Sequence, residues 1–145
     1  MSLLHLADDV ATAELGRRLA DALRPGDLAL LQGDLGAGKT ALARSIIRTL
    51  MGDAELDVPS PSFALVQPYE GNGQSVLHAD LYRLASEREI DELGLFDRPE
   101  AIVLIEWPER APGLAARADL TVRLSLPTTG EGRLAEVQFT DGRVF

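Results

Sequence analysis

Short apolar runs alternate along the chain with stretches whose hydrophobic residues recur at helical spacing. Residues 27–32 form an apolar run between Pro25-Gly26 and Gly33, which is typical of a buried strand. After a glycine-rich loop, hydrophobic residues recur every three or four positions until Gly52 ends the pattern; they are Leu42, Ile46, Ile47 and Leu50. This part of the chain therefore predicts a strand, a glycine-rich loop and a helix in direct succession.

Further strands are predicted in the second half of the chain. Residues 101–106 are apolar without polar alternation, so we expect a strand that is buried on both faces. An extended segment at 63–67 and a strand at 75–80 flank the turn residues Gly71-Asn72-Gly73. Residues 119–126 and 133–140 alternate with a period of two, which predicts an antiparallel hairpin with one solvent-exposed face.

Two more helices complete the predicted elements. Residues 8–23 have the spacing of an amphipathic helix, with an apolar face formed by Val10, Leu15, Leu19 and Leu23. Residues 86–93 form a short helix with Ser86 as N-cap and Gly94 after its end. The start of the chain, including His5, shows no pattern of an element. We therefore expect one α/β domain over residues 1–145, with a mostly parallel central sheet, helices on both faces and an antiparallel C-terminal hairpin.

Composition narrows the class of protein. The 145 residues are 46% hydrophobic and 26% charged, which is ordinary for a single globular domain. The N-terminus lacks the basic and apolar regions of a signal peptide, no apolar run approaches bilayer length, and cysteine is absent, so we expect a cytoplasmic protein without disulfides or membrane association. A net charge of −9 disfavours direct binding to a nucleic-acid backbone, so a partner would hold any nucleic acid.

The glycine-rich loop carries the most specific chemistry. Lys39 is the only lysine beside thirteen arginines, and residues 33–40 match the pattern G-x-x-x-x-G-K-[ST] of a P-loop. Backbone N–H groups of such a loop and the following helix N-terminus bind phosphates, the lysine contacts the outer phosphates and Thr40 would hold Mg²⁺. The motif predicts a P-loop NTPase-like fold that binds a nucleoside triphosphate through Asp34, Leu35, Gly36, Ala37, Gly38, Lys39, Thr40 and Ala41.

Two predicted strands end in an acid, Asp80 and Glu106. The carboxyl ends of parallel strands open on the ligand crevice of an α/β sheet, so both carboxylates could face the phosphates. A P-loop site needs such a carboxylate for its Mg²⁺. Either acid could instead cap the turn that follows it.

Five short segments in a fixed order resemble the TsaE family of bacterial P-loop ATPases, which act in tRNA threonylcarbamoyladenosine (t6A) formation. They are residues 33–40, Pro-Ser-Pro-Ser-Phe at 59–63, His-Ala-Asp-Leu-Tyr-Arg-Leu at 78–84, Glu-Leu-Gly at 92–94 and Ile-Glu-Trp-Pro at 105–108. The resemblance implies ATP binding and slow Mg²⁺-dependent hydrolysis in a complex with TsaB and TsaD, with tRNA engaged only through that complex.

The resemblance also implies roles for individual residues. Lys39, Asp80 and Glu106 would be catalytic, while Thr40, Asp80 and Glu106 would serve the metal. Ser62 would belong to the switch-like loop Ser60–Phe63, which senses the γ-phosphate, although the family usually has Thr at position 62. Trp107 would lie near the nucleotide. Trp107 could equally be a packed core aromatic. His78 lies on the same strand face as Asp80, so it could assist that carboxylate or simply be packed in the core.

Three alternatives to an ATPase are a small-molecule kinase, a pure nucleotide-binding module and a GTPase. A P-loop small-molecule kinase shares the strand-end carboxylates but needs an acceptor-binding lid, for which no long insertion follows the loop. A pure nucleotide-binding module would differ from an ATPase in the effect of Glu106→Gln on turnover. A GTPase of the Asn-Lys-x-Asp type is excluded, because Asn72 and Lys39 are the only residues of their kinds.

Overall fold

Seven strands form one mixed sheet within residues 1–62 and 65–145, the part of the chain that this computed structural model describes. In chain order the elements are β1 (Ser2–Leu6), α1 (Asp9–Ala22), β2 (Leu28–Gln32), α2 (Lys39–Met51), β3 (Val66–Gly71), β4 (Gln74–Asp80), β5 (Ile102–Glu106), β6 (Leu120–Ser125) and β7 (Arg133–Phe139). Three 3₁₀ helices lie between these elements, at Glu87–Leu93, Pro108–Arg110 and Pro112–Arg117.

The strand order is β1-β7-β6-β2-β5-β4-β3. The four middle strands, β6, β2, β5 and β4, are parallel, whereas β1, β7 and β3 join by antiparallel pairing. The predicted parallel centre and C-terminal hairpin are therefore confirmed. The hairpin is part of the continuous sheet, because β6 also pairs with β2.

The strand β1 was missed in the sequence. It pairs with β7 over its whole length, so the start of the chain is ordered. Leu4 and Leu6 are turned inward while Leu3 and His5 are exposed. The apolar but exposed Leu3 hides the two-residue period on which a strand prediction depends.

Both α-helices pack on one face of the sheet. Leu15 of α1 and Ile46 of α2 share one apolar core with Ala29 and Leu31 of β2. The helices approach closely at Gly16, where an added Cβ would lie 2.4 Å from the hydroxyl oxygen of Ser45. The predicted extents of both helices are confirmed, but Val10 is 77% exposed and does not belong to the apolar face of α1.

The opposite face of the sheet is covered by 3₁₀ helices. Leu28 and Val103 on this face share a second core with Ile90 and Leu114 of the 3₁₀ helices. The expectation of helices on both faces is therefore corrected in their type: within the described residues the α-helices lie on one face, and the helices on the other face are 3₁₀ helices. Proline at the start of Pro108–Arg110 and Pro112–Arg117 favours short, separate helical turns in these connections.

Three further predictions can be compared with the structure. The short helix at 86–93 is a 3₁₀ helix, with Ser86 as N-cap and Gly94 in the left-handed conformation after its end. The turn at residues 71–73 joins β3 and β4 as expected. Of the extended segment at 63–67, residues 63 and 64 lie outside the described residues, and β3 begins at Val66.

Within the described residues, none of the helices combines the length and the apolar character needed to cross a membrane.

Candidate functional site

A cavity of about 280 Å³ lies where the glycine-rich loop faces the carboxyl ends of β4 and β5. Parallel pairing places Asp80 directly opposite Glu106 in the last register position of these strands. The loop follows β2, the next strand of the sheet, and α2 begins at Lys39. The cavity is lined by Leu35, Gly36, Ala37, Gly38, Lys39, Thr40, Ala41, Ser60, Ser62, Asp80, Tyr82, Glu106 and Trp107.

The structure brings almost all of the candidate site residues together. Among the predicted nucleotide contacts, only Asp34 does not line the cavity. Its carbonyl oxygen accepts hydrogen bonds from the Ala37 N–H at 3.0 Å and from the Lys39 ammonium at 3.1 Å, so Asp34 shapes the loop. Residues from four separate segments thus meet in one small space.

The loop depends on glycine where α2 begins. Gly38 is the N-cap of α2 and has a φ of 104°, in the left-handed region that glycine adopts without steric cost. An added Cβ there would also lie 2.7 Å from Nε of Arg133. The guanidinium of Arg133 thus lies against the loop, where it donates to Thr12 and pairs with Asp9 of α1. The N-terminus of a helix that follows such a loop favours a bound anion.

Lys39 is buried in this loop, with 5% of its surface exposed. Its ammonium donates to the carbonyl oxygens of Gly33 and Asp34 and lies 3.8 Å from the ring centre of Trp107. Burial lowers the pKa of Lys39, while nearby carboxylates, Glu106 foremost, oppose this shift. Lys39 is therefore a buried group of the loop, covered by backbone carbonyls and an aromatic ring.

Glu106 is the most constrained acid of the site. It is 2% exposed, and its Oε1 and Oε2 accept from the Thr40 hydroxyl at 2.9 and 3.1 Å. Its Oε2 also lies 2.6 Å from Nε2 of His78. The carboxylate is therefore fixed between the first turn of α2 and the neighbouring strand β4.

Asp80 is held by different groups. Its Oδ1 accepts from the backbone N–H of Tyr82 at 2.9 Å, and its Oδ2 accepts from the hydroxyls of Ser62 at 3.2 Å and Ser60 at 3.4 Å. The two hydroxyls are 2.8 Å apart. Ser62, where the resembled family usually has Thr, thus contacts a strand-end carboxylate. The Phe63 of the same loop lies outside the described residues.

Trp107 closes one side of the cavity. Its φ of 58° is in the left-handed region, which is costly for a bulky residue. This backbone conformation accompanies ring contacts with Lys39 and with Tyr82, whose ring centre is 4.9 Å away. The guanidinium of Arg110 lies 5.5 Å from the Tyr82 ring. Trp107 is therefore part of the cavity wall as well as of the apolar packing on that face.

One residue beside the site carried no signal in the sequence. Arg133 lies against the loop because β7 belongs to the same sheet, and no motif marks its position. Ser60, by contrast, belongs to the segment 59–63 quoted for the family resemblance, and it lines the cavity together with Ser62. The position of Arg133 therefore depends on tertiary contacts alone.

The arrangement limits which ions the site suits. Among its lining residues, the two carboxylates outnumber the single ammonium. A polyanion would therefore be bound more favourably together with a cation. The hydroxyl and carboxylate oxygens of Thr40, Asp80 and Glu106 are ligands that Mg²⁺ prefers. The described residues contain no group of three or more His, Cys, Asp or Glu side chains that could hold a metal alone.

The fold and the site together define an α/β protein in which a glycine-rich loop joins a parallel strand to a helix N-terminus and faces two strand-end carboxylates. A family model described as "Threonylcarbamoyl adenosine biosynthesis protein TsaE" matches residues 6–134. The chain belongs to the TsaE family.

Individual relatives agree with this assignment. The tRNA threonylcarbamoyladenosine biosynthesis protein TsaE of Rickettsia felis is 43% identical over 108 residues, which cover 74% of this chain and 63% of that protein. The chain thus matches less than two thirds of that relative's length. The protein of the same name from Haemophilus influenzae is 33% identical over 127 residues, covering 83% of this chain and 79% of that protein. The one from Mycobacterium leprae is 34% identical over 142 residues, covering 91% and 87%.

A solved structure shares the fold. The crystal structure of Bacillus subtilis YdiB superimposes with a TM-score of 0.72 over 97% of this chain and 86% of that chain, at 20% sequence identity. At this identity the likeness concerns the backbone architecture.

Proposed function

We propose that the chain binds ATP with Mg²⁺ in the cavity between the glycine-rich loop and the ends of β4 and β5, and hydrolyses it slowly. The observation that carries this proposal is the convergence of Lys39, Thr40, Asp80 and Glu106 on one cavity. Positive charge, a hydroxyl and two carboxylates next to a helix N-terminus form a P-loop NTPase-like arrangement.

The loop and α2 would bind the phosphates. Backbone N–H groups at the start of α2 are free to point toward an anion, and the helix dipole favours negative charge there. Lys39 would exchange its contacts with the carbonyls of Gly33 and Asp34 for contacts with phosphate oxygens. This exchange is favourable because an ammonium binds a charged phosphate more strongly than a neutral carbonyl.

The residues around the carboxylates fit a magnesium ion. Thr40 would supply its hydroxyl, and Asp80 and Glu106 would supply carboxylate oxygens directly or through water. Mg²⁺ bound in this way would also take phosphate oxygens of the nucleotide. When bound, Mg²⁺ would neutralise charge on the phosphates.

Glu106 is the best candidate for orienting the attacking water. It is buried, fixed by two side chains, and next to the cavity. A carboxylate held in this way can accept a hydrogen bond from water and direct the oxygen toward a phosphorus atom. Trp107 and Tyr82 would restrict the access of other water molecules from one side.

The biological role proposed for this ATPase is in t6A formation on tRNA. Relatives from several bacteria bear the name tRNA threonylcarbamoyladenosine biosynthesis protein TsaE, which supports this role. The proposed partners are TsaB and TsaD, with tRNA engaged through them in the cytoplasm. The net charge of −9 supports indirect rather than direct contact with tRNA.

The test is ATP hydrolysis by the purified chain, alone and with TsaB, TsaD and tRNA. We expect slow hydrolysis that needs Mg²⁺, changes when the partners are added and is lost in Lys39→Met. Hydrolysis that ignores these partners but rises with a small hydroxyl compound would reject this role in favour of a small-molecule kinase.

A further inference from the structure

The contact between His78 and Glu106 joins two buried side chains on neighbouring strands. His78 lies opposite Leu104 in the register of β4 and β5, so Glu106 is its diagonal neighbour on the same face of the sheet. The side chains are 0% and 3% exposed, and Nε2 lies 2.6 Å from Oε2. The imidazole is therefore enclosed in the core, whereas the carboxylate also borders the cavity.

The surroundings of the imidazole indicate which nitrogen carries the proton. Nδ1 of His78 is buried and has no hydrogen-bond partner within the described residues. A buried N–H without an acceptor is more costly than a bare lone pair, and a carboxylate oxygen accepts but does not donate. We therefore assign the proton to Nε2, which donates to Oε2 of Glu106.

Thr40 makes the other contacts with this carboxylate. Its hydroxyl lies 2.9 Å from Oε1 and 3.1 Å from Oε2 of Glu106. Under the proposed function the oxygen of the same hydroxyl serves the metal through a lone pair, and its single proton can be donated to one acceptor at a time. Among the described residues, the His78 imidazole is the side chain that donates to Glu106 and has no second role at the metal.

We propose that His78 is a positioning residue, which keeps the Glu106 carboxylate directed at the cavity through Nε2–H while Thr40 serves the metal. This inference rests on the proposed function. His78 contacts neither phosphate nor water in this scheme and acts only through Glu106. Removal of a group that orients a site carboxylate typically lowers activity by about 10- to 100-fold.

The first test compares His78→Gln with His78→Met. The amide nitrogen of Gln can take the place of Nε2 and donate to Glu106, whereas Met fills similar volume without a donor. We expect kcat for ATP hydrolysis to fall by about 10- to 100-fold in His78→Met and by much less in His78→Gln. The Kd for MgADP should change by less than about threefold in both variants, because the phosphate contacts remain.

His5→Gln is the matched control, since His5 is exposed on β1 and its Nε2 contacts the carbonyl oxygen of Glu131, far from the site. It should leave kcat unchanged. Equal loss of kcat in folded His78→Gln and His78→Met, or normal kcat in His78→Met, would overturn the positioning role. A wild-type chain without any ATPase activity would instead reject the proposed function.

A second measurement does not depend on activity or on a destabilised variant. In His5→Gln the only remaining imidazole is that of His78, so ¹⁵N-edited NMR of its ring identifies the protonated nitrogen. A proton on Nε2, whose resonance shifts in the additional Glu106→Gln variant, supports the inference. An Nε2 without a proton overturns it, even if both His78 variants fail to fold.

Discussion

Lys39→Met separates the role of Lys39 in ligand binding from its role in the fold. The ammonium is buried, so two effects on stability oppose each other when it is removed. Loss of the bonds to Gly33 and Asp34 and of the contact with Trp107 should cost about 4 kcal/mol or more. Relief of the buried charge has the opposite sign, since burial lowers the pKa of Lys39 in spite of the nearby carboxylates.

We therefore expect the unliganded Lys39→Met protein to unfold with a free energy within about 1 kcal/mol of wild type, because Met keeps the apolar volume of the lysine stem. Ligand binding should behave differently. A unit charge about 4 Å from a phosphate is worth about 4 kcal/mol at an effective dielectric constant of about 20. The variant should bind MgATP roughly a thousandfold more weakly.

Urea unfolding without nucleotide and calorimetric titration with MgADP and a non-hydrolysable MgATP analogue measure the two quantities. Arg48→Met is the matched control: it removes another cation from α2, one that donates to the carbonyl of Leu56 and does not line the site. It should bind nucleotide normally. If Lys39→Met loses more than about 3 kcal/mol of unfolding free energy, or binds MgATP like wild type, the balance of charge burial and phosphate contact described above is refuted.

Three other predictions concern catalysis, a buried ion pair and acid stability. Glu106→Gln should lower kcat by at least about 100-fold in a steady-state ATPase assay while MgADP still binds; unchanged turnover would contradict a role in orienting water. Arg143→Met should lower the urea-unfolding free energy by about 3 kcal/mol, because Asp27, whose side chain is 10% exposed, loses its partner at 2.7 Å; a loss below about 1 kcal/mol would contradict this. Hydrogen bonds from Arg143 also lower the pKa of Asp141, so this contribution is complete above the ordinary Asp pKa and disappears as the pH falls through the lowered folded value. As the pH falls below the ordinary Asp pKa of about 4, Arg143→Met should therefore lose less stability than wild type, and equal losses would contradict the pairing.

Local sequence patterns were sufficient to predict the structure where one residue type decides the backbone conformation or the chemistry. Glycines at the loop and after α2 occupy left-handed conformations that other residues avoid, so the limits of α2 could be predicted. The apolar run of β5 predicted a strand buried on both faces, and all five of its residues are buried. The two-residue period likewise places His78 and Asp80 on one face of β4.

Local patterns failed to predict burial or exposure where the residues around a side chain are distant from it in the sequence. Leu3 is apolar yet exposed at the edge strand β1, which concealed that strand. Val10 has helical spacing but faces solvent, because α1 packs through residues farther around its circumference. Lys39 is buried because Trp107 and the loop carbonyls cover it, and no local signal reports such coverage.

The sequence by itself determined the strand–loop–helix unit, the position of the lone lysine and the two strand-end acids, since each depends on residues close in the chain. Only the tertiary structure decided that β4 pairs with β5, which places Asp80 opposite Glu106 and brings His78 within 2.6 Å of it. The order of strands in a sheet follows from the burial of whole apolar faces, which no single segment encodes. The same assembly brings Arg133, from the last strand, against the glycine-rich loop near the start of the chain.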